Sequence, residues 1–167
     1  LTRRGVSYEY RGGMRFFERA HVKDALAFLR VIANPSDILS LQRIFLLEEG
    51  IGPSGAESLS EAVRSAALSA PDGKLSEECF VSAIDGARLR AKTGAAQVAR
   101  IFSHLLSAEQ HPSVLLFSLL ETRYSEYIQN EYPDGRERLK DIEQLAALSE
   151  NAKDLPAALE SARSEAK

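Results

Sequence analysis

The chain has 167 residues, 44% of them hydrophobic, and a formal net charge of −3. That is enough for one domain with its own core, and the mild acidity excludes a protein that binds nucleic acid through bulk positive charge. Cys79 is the only cysteine, so an internal disulfide is excluded and a reducing, cytoplasmic setting is expected.

Charge is uneven along the chain. The first thirty residues lean basic and the tail after Glu121 leans acidic, so any nucleic-acid contact is expected to be local and salt-sensitive. The apolar stretch Val114–Phe117, continuing to Leu119 and Leu120, is far too short to span a bilayer. No secretory pattern opens the sequence, and a start at Leu1 fits a domain cut from a longer polypeptide.

In chain order, Val6-Ser7-Tyr8-Glu9-Tyr10 alternates like a short strand. Gly12-Gly13 follows as a turn or hinge. Val22, Ala25, Leu26, Leu29 and Ile32 then fall at helical spacing, with Arg15, Arg19, Lys23 and Arg30 giving the helix a basic side. Pro35 closes it. Ser36-Asp37 caps a short helix through Ile38, Leu41, Ile44 and Phe45. Residues 48–52 form a turn, and Pro53 opens a helix carrying Ala56, Leu59, Val63 and Ala66.

Residues 69–73 are a loop. A helix is expected from about Ser76 to Lys92, broken by Thr93-Gly94, and the next carries Val98, Ile101, Phe102 and Leu105. Pro112 opens a helix expected to run on through Tyr124 and Tyr127. After the turn at 132–135 comes a helix with Leu139, Ile142 and Leu145 inward, and a last one begins near Asp154-Leu155-Pro156. The expected fold is mainly α. It is a compact multi-helix domain over residues 1–167, with a strand stub and hinge over 1–15 and helices over 16–167.

One stretch has the residues for a phosphate contact. Gly50-Ile51-Gly52-Pro53-Ser54-Gly55-Ala56 fits the helix–hairpin–helix pattern, in which an apolar plug between two glycines sits ahead of a helix start. Bare N–H groups at that start, together with the helix dipole, suit a DNA phosphate, and Ser54 adds a hydroxyl. A plain helix–turn accounts for the same residues. Glu48 and Glu49, just before the glycines, read as solvated carboxylates that would repel DNA.

Nucleotide and hydrolase motifs are missing. The sequence has no Gly-x-x-x-x-Gly-Lys-Ser/Thr loop, HExxH, CxxC or GxSxG. His21, His104 and His111 are scattered singly, which argues against a metal site. His21 reads as a solvent-facing helix residue, and Cys79 as a buried, inert thiol.

The segment Gly12-Gly13-Met14-Arg15-Phe16-Phe17-Glu18-Arg19, running through Lys23-Asp24-Ala25-Leu26-Ala27-Phe28-Leu29-Arg30 to Ala33-Asn34-Pro35, closely resembles a signature of UvrD/Rep/PcrA-type DNA helicases of superfamily one. The Gly50-Ile51-Gly52 turn stands where those proteins carry a similar motif. The resemblance covers residues 8–56 and, more loosely, 120–160.

It implies an inserted helical domain, the 2B domain, of a 3′-5′ ATP-dependent helicase. By that resemblance Gly50, Ile51, Gly52 and Ser54 contact duplex DNA near a single-strand junction. Gly12, Gly13, Arg15, Phe16, Phe17, Arg19 and Lys23 form the junction to the motor lobes. ATP and Mg²⁺ serve the parent enzyme and not this segment, in a bacterial-type, nucleoid-associated setting. The alternatives are a free-standing helix–hairpin–helix module and a helical protein-interaction domain.

Overall fold

The computed structural model describes residues 15–153, 158–160 and 163. The strand expected at 6–10, the Gly12-Gly13 hinge and the cap at Asp154–Pro156 lie outside the described residues. After a helical turn at 15–18, the chain forms α1 (Ala20–Ala33), α2 (Ile38–Phe45), α3 (Pro53–Ser69), α4 (Glu77–Asp85), α5 (Leu89–Leu106), α6 (Pro112–Leu120), α7 (Arg123–Glu131) and α8 (Gly135–Leu148). The fold is mainly helical, and the described residues include no strand.

Helix α1 is the centre of the molecule. Nine of its residues are buried, from His21 to Val31. A helix apolar nearly all round belongs inside a core rather than on its surface, and α1 packs on α2, α6 and α8. The basic side expected for it is therefore confined to its ends, at Arg19, Lys23 and Arg30. Aromatic rings bind the layers together. Phe80 of α4 stacks on Phe102 of α5 at 4.9 Å, Phe102 meets Phe28 of α1 at 5.4 Å, and Phe28 meets Tyr124 of α7 at 5.6 Å. Such pairs add about 0.5–1.5 kcal/mol each beyond the area they bury.

Two helix boundaries differ from the sequence expectation. The break expected at Thr93-Gly94 falls instead at 86–88, and Gly94 lies inside α5. The helix expected to run from Pro112 through Tyr127 ends at Leu120 and restarts at Arg123. Thr122 explains the restart: its Oγ1 donates to the Leu119 carbonyl at 2.6 Å and accepts from the Tyr124 N–H at 3.3 Å. One hydroxyl thus ends one helix and caps the next. Cys79 is buried and free, as expected.

Candidate nucleic-acid interface

The hairpin between α2 and α3 is held from three sides. Ile51 is buried and Ala56 is almost fully so; burying an isoleucine side chain stabilises by about 1.5–3 kcal/mol. Gly50 has φ +89°, a conformation that favours glycine, and a Cβ there would stand 2.8 Å from the Arg90 carbonyl oxygen. Gly52 is different. Its φ of −94° and ψ of −176° are ordinary extended backbone, and it caps α3 without special need for glycine.

Gly94 supplies the third side. A Cβ there would lie 2.9 Å from Glu48 Cβ and 3.0 Å from Ile51 Cδ1. The missing side chain lets α5 seat directly on the turn, so Gly94 is a packing residue and not a helix break.

The start of α3 is open. Pro53 has no N–H, and the Ala56 N–H donates to the Gly52 carbonyl at 2.9 Å. That leaves the N–H groups of Ser54 and Gly55 without a protein partner among the described residues. Gly52, Pro53 and Ser54 are exposed. Two free donors at the positive end of a 17-residue helix can receive an anion.

The two carboxylates before the glycines divide. Glu48 is not solvated: its side chain is 10% exposed, and Arg123 Nη1 lies 2.7 Å from both of its oxygens. Burial pushes its carboxyl up from the usual range, and the Arg123 guanidinium opposes that shift. Its charge is matched inside the fold, which removes much of the expected repulsion. Glu49 remains exposed.

The residues expected at the junction lie at the N-terminal end of α1 and just before it. Phe17 is buried and meets Phe16 edge-on, with centroids 5.3 Å apart. Arg15 and Lys23 are exposed, and Arg19 pairs with Asp141 of α8 at 2.9 Å. Gly12 and Gly13 lie outside the described residues.

His21 corrects the sequence expectation, because it is fully buried. Its Nε2–H donates to Asp141 Oδ2 at 2.7 Å, and its Nδ1 accepts from Arg138 Nη1 at 3.0 Å. Burial holds its pKa below the ordinary histidine value, although Asp141 pulls it the other way. Beside it, the Tyr124 hydroxyl donates to the His21 carbonyl at 3.0 Å and to Asp24 Oδ2 at 3.2 Å. Arg43 Nε donates to Asp24 Oδ1 at 2.6 Å. Burial raises the Asp24 carboxyl, against the pull of Arg43 and Tyr124. This polar cluster ties the start of α1 to α2, α7 and α8. Its groups satisfy one another and leave no open position for a substrate.

His104 pairs with Glu121, while His111 donates from Nε2 to the Ala152 carbonyl and accepts at Nδ1 from the Ser113 N–H, capping α6. No group of three or more His, Cys, Asp or Glu among the described residues is arranged to hold a metal ion. No helix of the described residues is long and apolar enough to cross a membrane.

Residues 1–79 match the UvrD-like helicase C-terminal domain. The ATP-dependent DNA helicase PcrA of Staphylococcus epidermidis is 47% identical over 55 residues, which is 32% of this chain and 8% of that protein. PcrA of Staphylococcus aureus is 44% identical over a stretch of the same length and coverage. The first part of the chain is thus similar to UvrD/PcrA-type DNA helicases, and the matched stretch spans only a small part of those relatives' length. No solved structure matches the chain. The hairpin lies inside the matched region, whereas Gly94, Arg90 and Arg123, which brace or flank it, lie beyond residue 79. Small residues at 91, 94 and 95 were the sequence signal for close packing of α5.

Proposed function

We propose that this chain is an accessory, 2B-type domain of a UvrD/PcrA-type 3′-5′ ATP-dependent DNA helicase, contacting duplex DNA through the α2–α3 hairpin. The observation that carries this reading is the open start of α3. Free N–H groups at Ser54 and Gly55, with the exposed Ser54 side chain, stand on a turn fixed by Ile51 and Gly50. A backbone site of this kind accepts phosphate without reading bases. The match of residues 1–79 to a helicase domain makes DNA the expected anion.

In this reading the junction with the motor lobes runs through Gly12, Gly13, Arg15, Phe16, Phe17, Arg19 and Lys23. The domain swivels there to regulate unwinding beside the duplex/single-strand junction. ATP and Mg²⁺ belong to the parent enzyme. The residues here do not fit them, since the sequence has no phosphate-cradling loop and the described residues offer no metal-ligand cluster. No nucleotide step is assigned to this chain. The setting is cytoplasmic and nucleoid-associated.

Duplex binding by the 167-residue chain, titrated at low and moderate salt, tests the proposal. Weak, salt-dependent binding without ATP turnover is expected. ATP hydrolysis by the pure chain, or no duplex binding at low salt, would overturn it.

A further inference from the structure

The hairpin has no basic side chain of its own, yet the fold brings one to it from the stretch where the sequence resemblance lapses. Gly94 of α5 packs on Glu48 and Ile51. Arg90 lies four residues earlier, so it shares that helix face one turn closer to the N-terminus. Its carbonyl oxygen is the atom that closes on Gly50, at 2.8 Å from a Cβ placed there.

Side chains on a helix lean toward its N-terminus, a direction in which the Arg90 side chain would extend toward the end of α5 beside the hairpin. Arg90 is exposed and, among the described residues, forms no ion pair. The same is true of its neighbour Arg88. Across the turn Glu48 is already matched by Arg123, while Glu49 is exposed.

We propose that Arg90, assisted by Arg88, contacts the backbone phosphate of duplex DNA held at the hairpin, supplying from α5 the positive charge that the Gly50–Ser54 turn lacks. This rests on the duplex-binding reading above. It assigns the contact to a part of the chain outside the matched region. A guanidinium suits the task because its planar fork can grip two phosphate oxygens.

The test is fluorescence anisotropy of a labelled blunt duplex with the full chain, across a salt series. Arg90→Gln is compared with Arg90→Lys and with Arg100→Gln, an exposed arginine farther along α5. Arg90→Gln should weaken low-salt binding severalfold and reduce the slope of log affinity against log salt by about 1. Arg90→Lys should recover most of both, Arg100→Gln should change neither, and thermal melts should overlay the parent chain. Parent-like affinity and slope in Arg90→Gln, with the parent chain itself binding duplex, would overturn the arginine contact and leave the hairpin reading standing. No duplex binding by the parent chain would overturn both.

Discussion

Arg123 Nη1 lies 2.7 Å from both carboxylate oxygens of Glu48, joining the start of α7 to the hairpin across 75 residues of sequence. Arg123 is 40% exposed and Glu48 only 10%, so the pair is valuable mainly because it keeps a largely buried carboxylate from standing alone. Arg123→Gln should destabilise the fold by about 1–3 kcal/mol, the lower end being favoured by solvent at the arginine. Glu48→Gln in the same chain should restore part of the loss. Denaturant titrations of the two single variants and the double variant measure this coupling. If the proposed duplex contact is made at this hairpin, duplex affinity of Arg123→Gln should also fall, because an unmatched carboxylate then stands two residues before Gly50.

Gly50 and Gly52 look equivalent in the sequence and should behave differently. Gly50→Ala places a side chain on a backbone at φ +89°, against the Arg90 carbonyl, which is main chain and cannot swing aside. The expected loss is at least about 1–2 kcal/mol. Gly52→Ala meets nothing within 4 Å and keeps an ordinary φ, so its melting temperature should barely move. Equal losses in thermal melts of the two would contradict this account of the turn.

Gly94→Ala sets two effects against each other. Alanine improves an α-helix interior by about 0.8–1.0 kcal/mol over glycine. The added methyl, however, meets Glu48 Cβ at 2.9 Å, Ile51 Cδ1 at 3.0 Å and the Glu49 carbonyl at 3.3 Å. Overpacking of that kind costs about 1–3 kcal/mol. A net loss of about 1–2 kcal/mol is expected, together with weaker duplex binding as the hairpin is pushed off α5. A more stable Gly94→Ala chain would show that the helix term wins.

Local signals in the sequence carried most of the fold. Helical periodicity placed α1, α2, α3 and α8; Pro53 and Pro112 marked the starts of α3 and α6. Gly94 was misread because a glycine that breaks a helix and a glycine that lets another element approach look the same until the partner is known. Glu48 and His21 were misread for a related reason. Their partners, Arg123 and Asp141, lie 75 and 120 residues away, and no local pattern reports a contact at that range. The turn between α2 and α3 was legible in Gly50 and Pro53, whereas the Arg90 carbonyl comes against Gly50 only through the packing of α5.

His21 should make stability depend on pH. In the fold one neutral tautomer satisfies both of its contacts, with Nε2–H toward Asp141 and Nδ1 accepting from Arg138. Protonation would place Nδ1–H against the Arg138 guanidinium, with Arg19 also nearby, while Asp141 alone would favour the cation. Burial outweighs Asp141, so the folded pKa lies below the ordinary value of 6.5. The unfolded chain therefore binds the proton first as pH falls. Stability is unaffected well above that ordinary value and declines as pH drops from it toward the folded pKa. Melting temperatures should fall between about pH 7.5 and about pH 5.5. His21→Gln should start lower, because it disturbs a packed polar cluster, but should lose less over the same interval. A parent chain whose melting temperature is flat across that window, or that gains stability toward acid, would show that Asp141 wins over burial at this site.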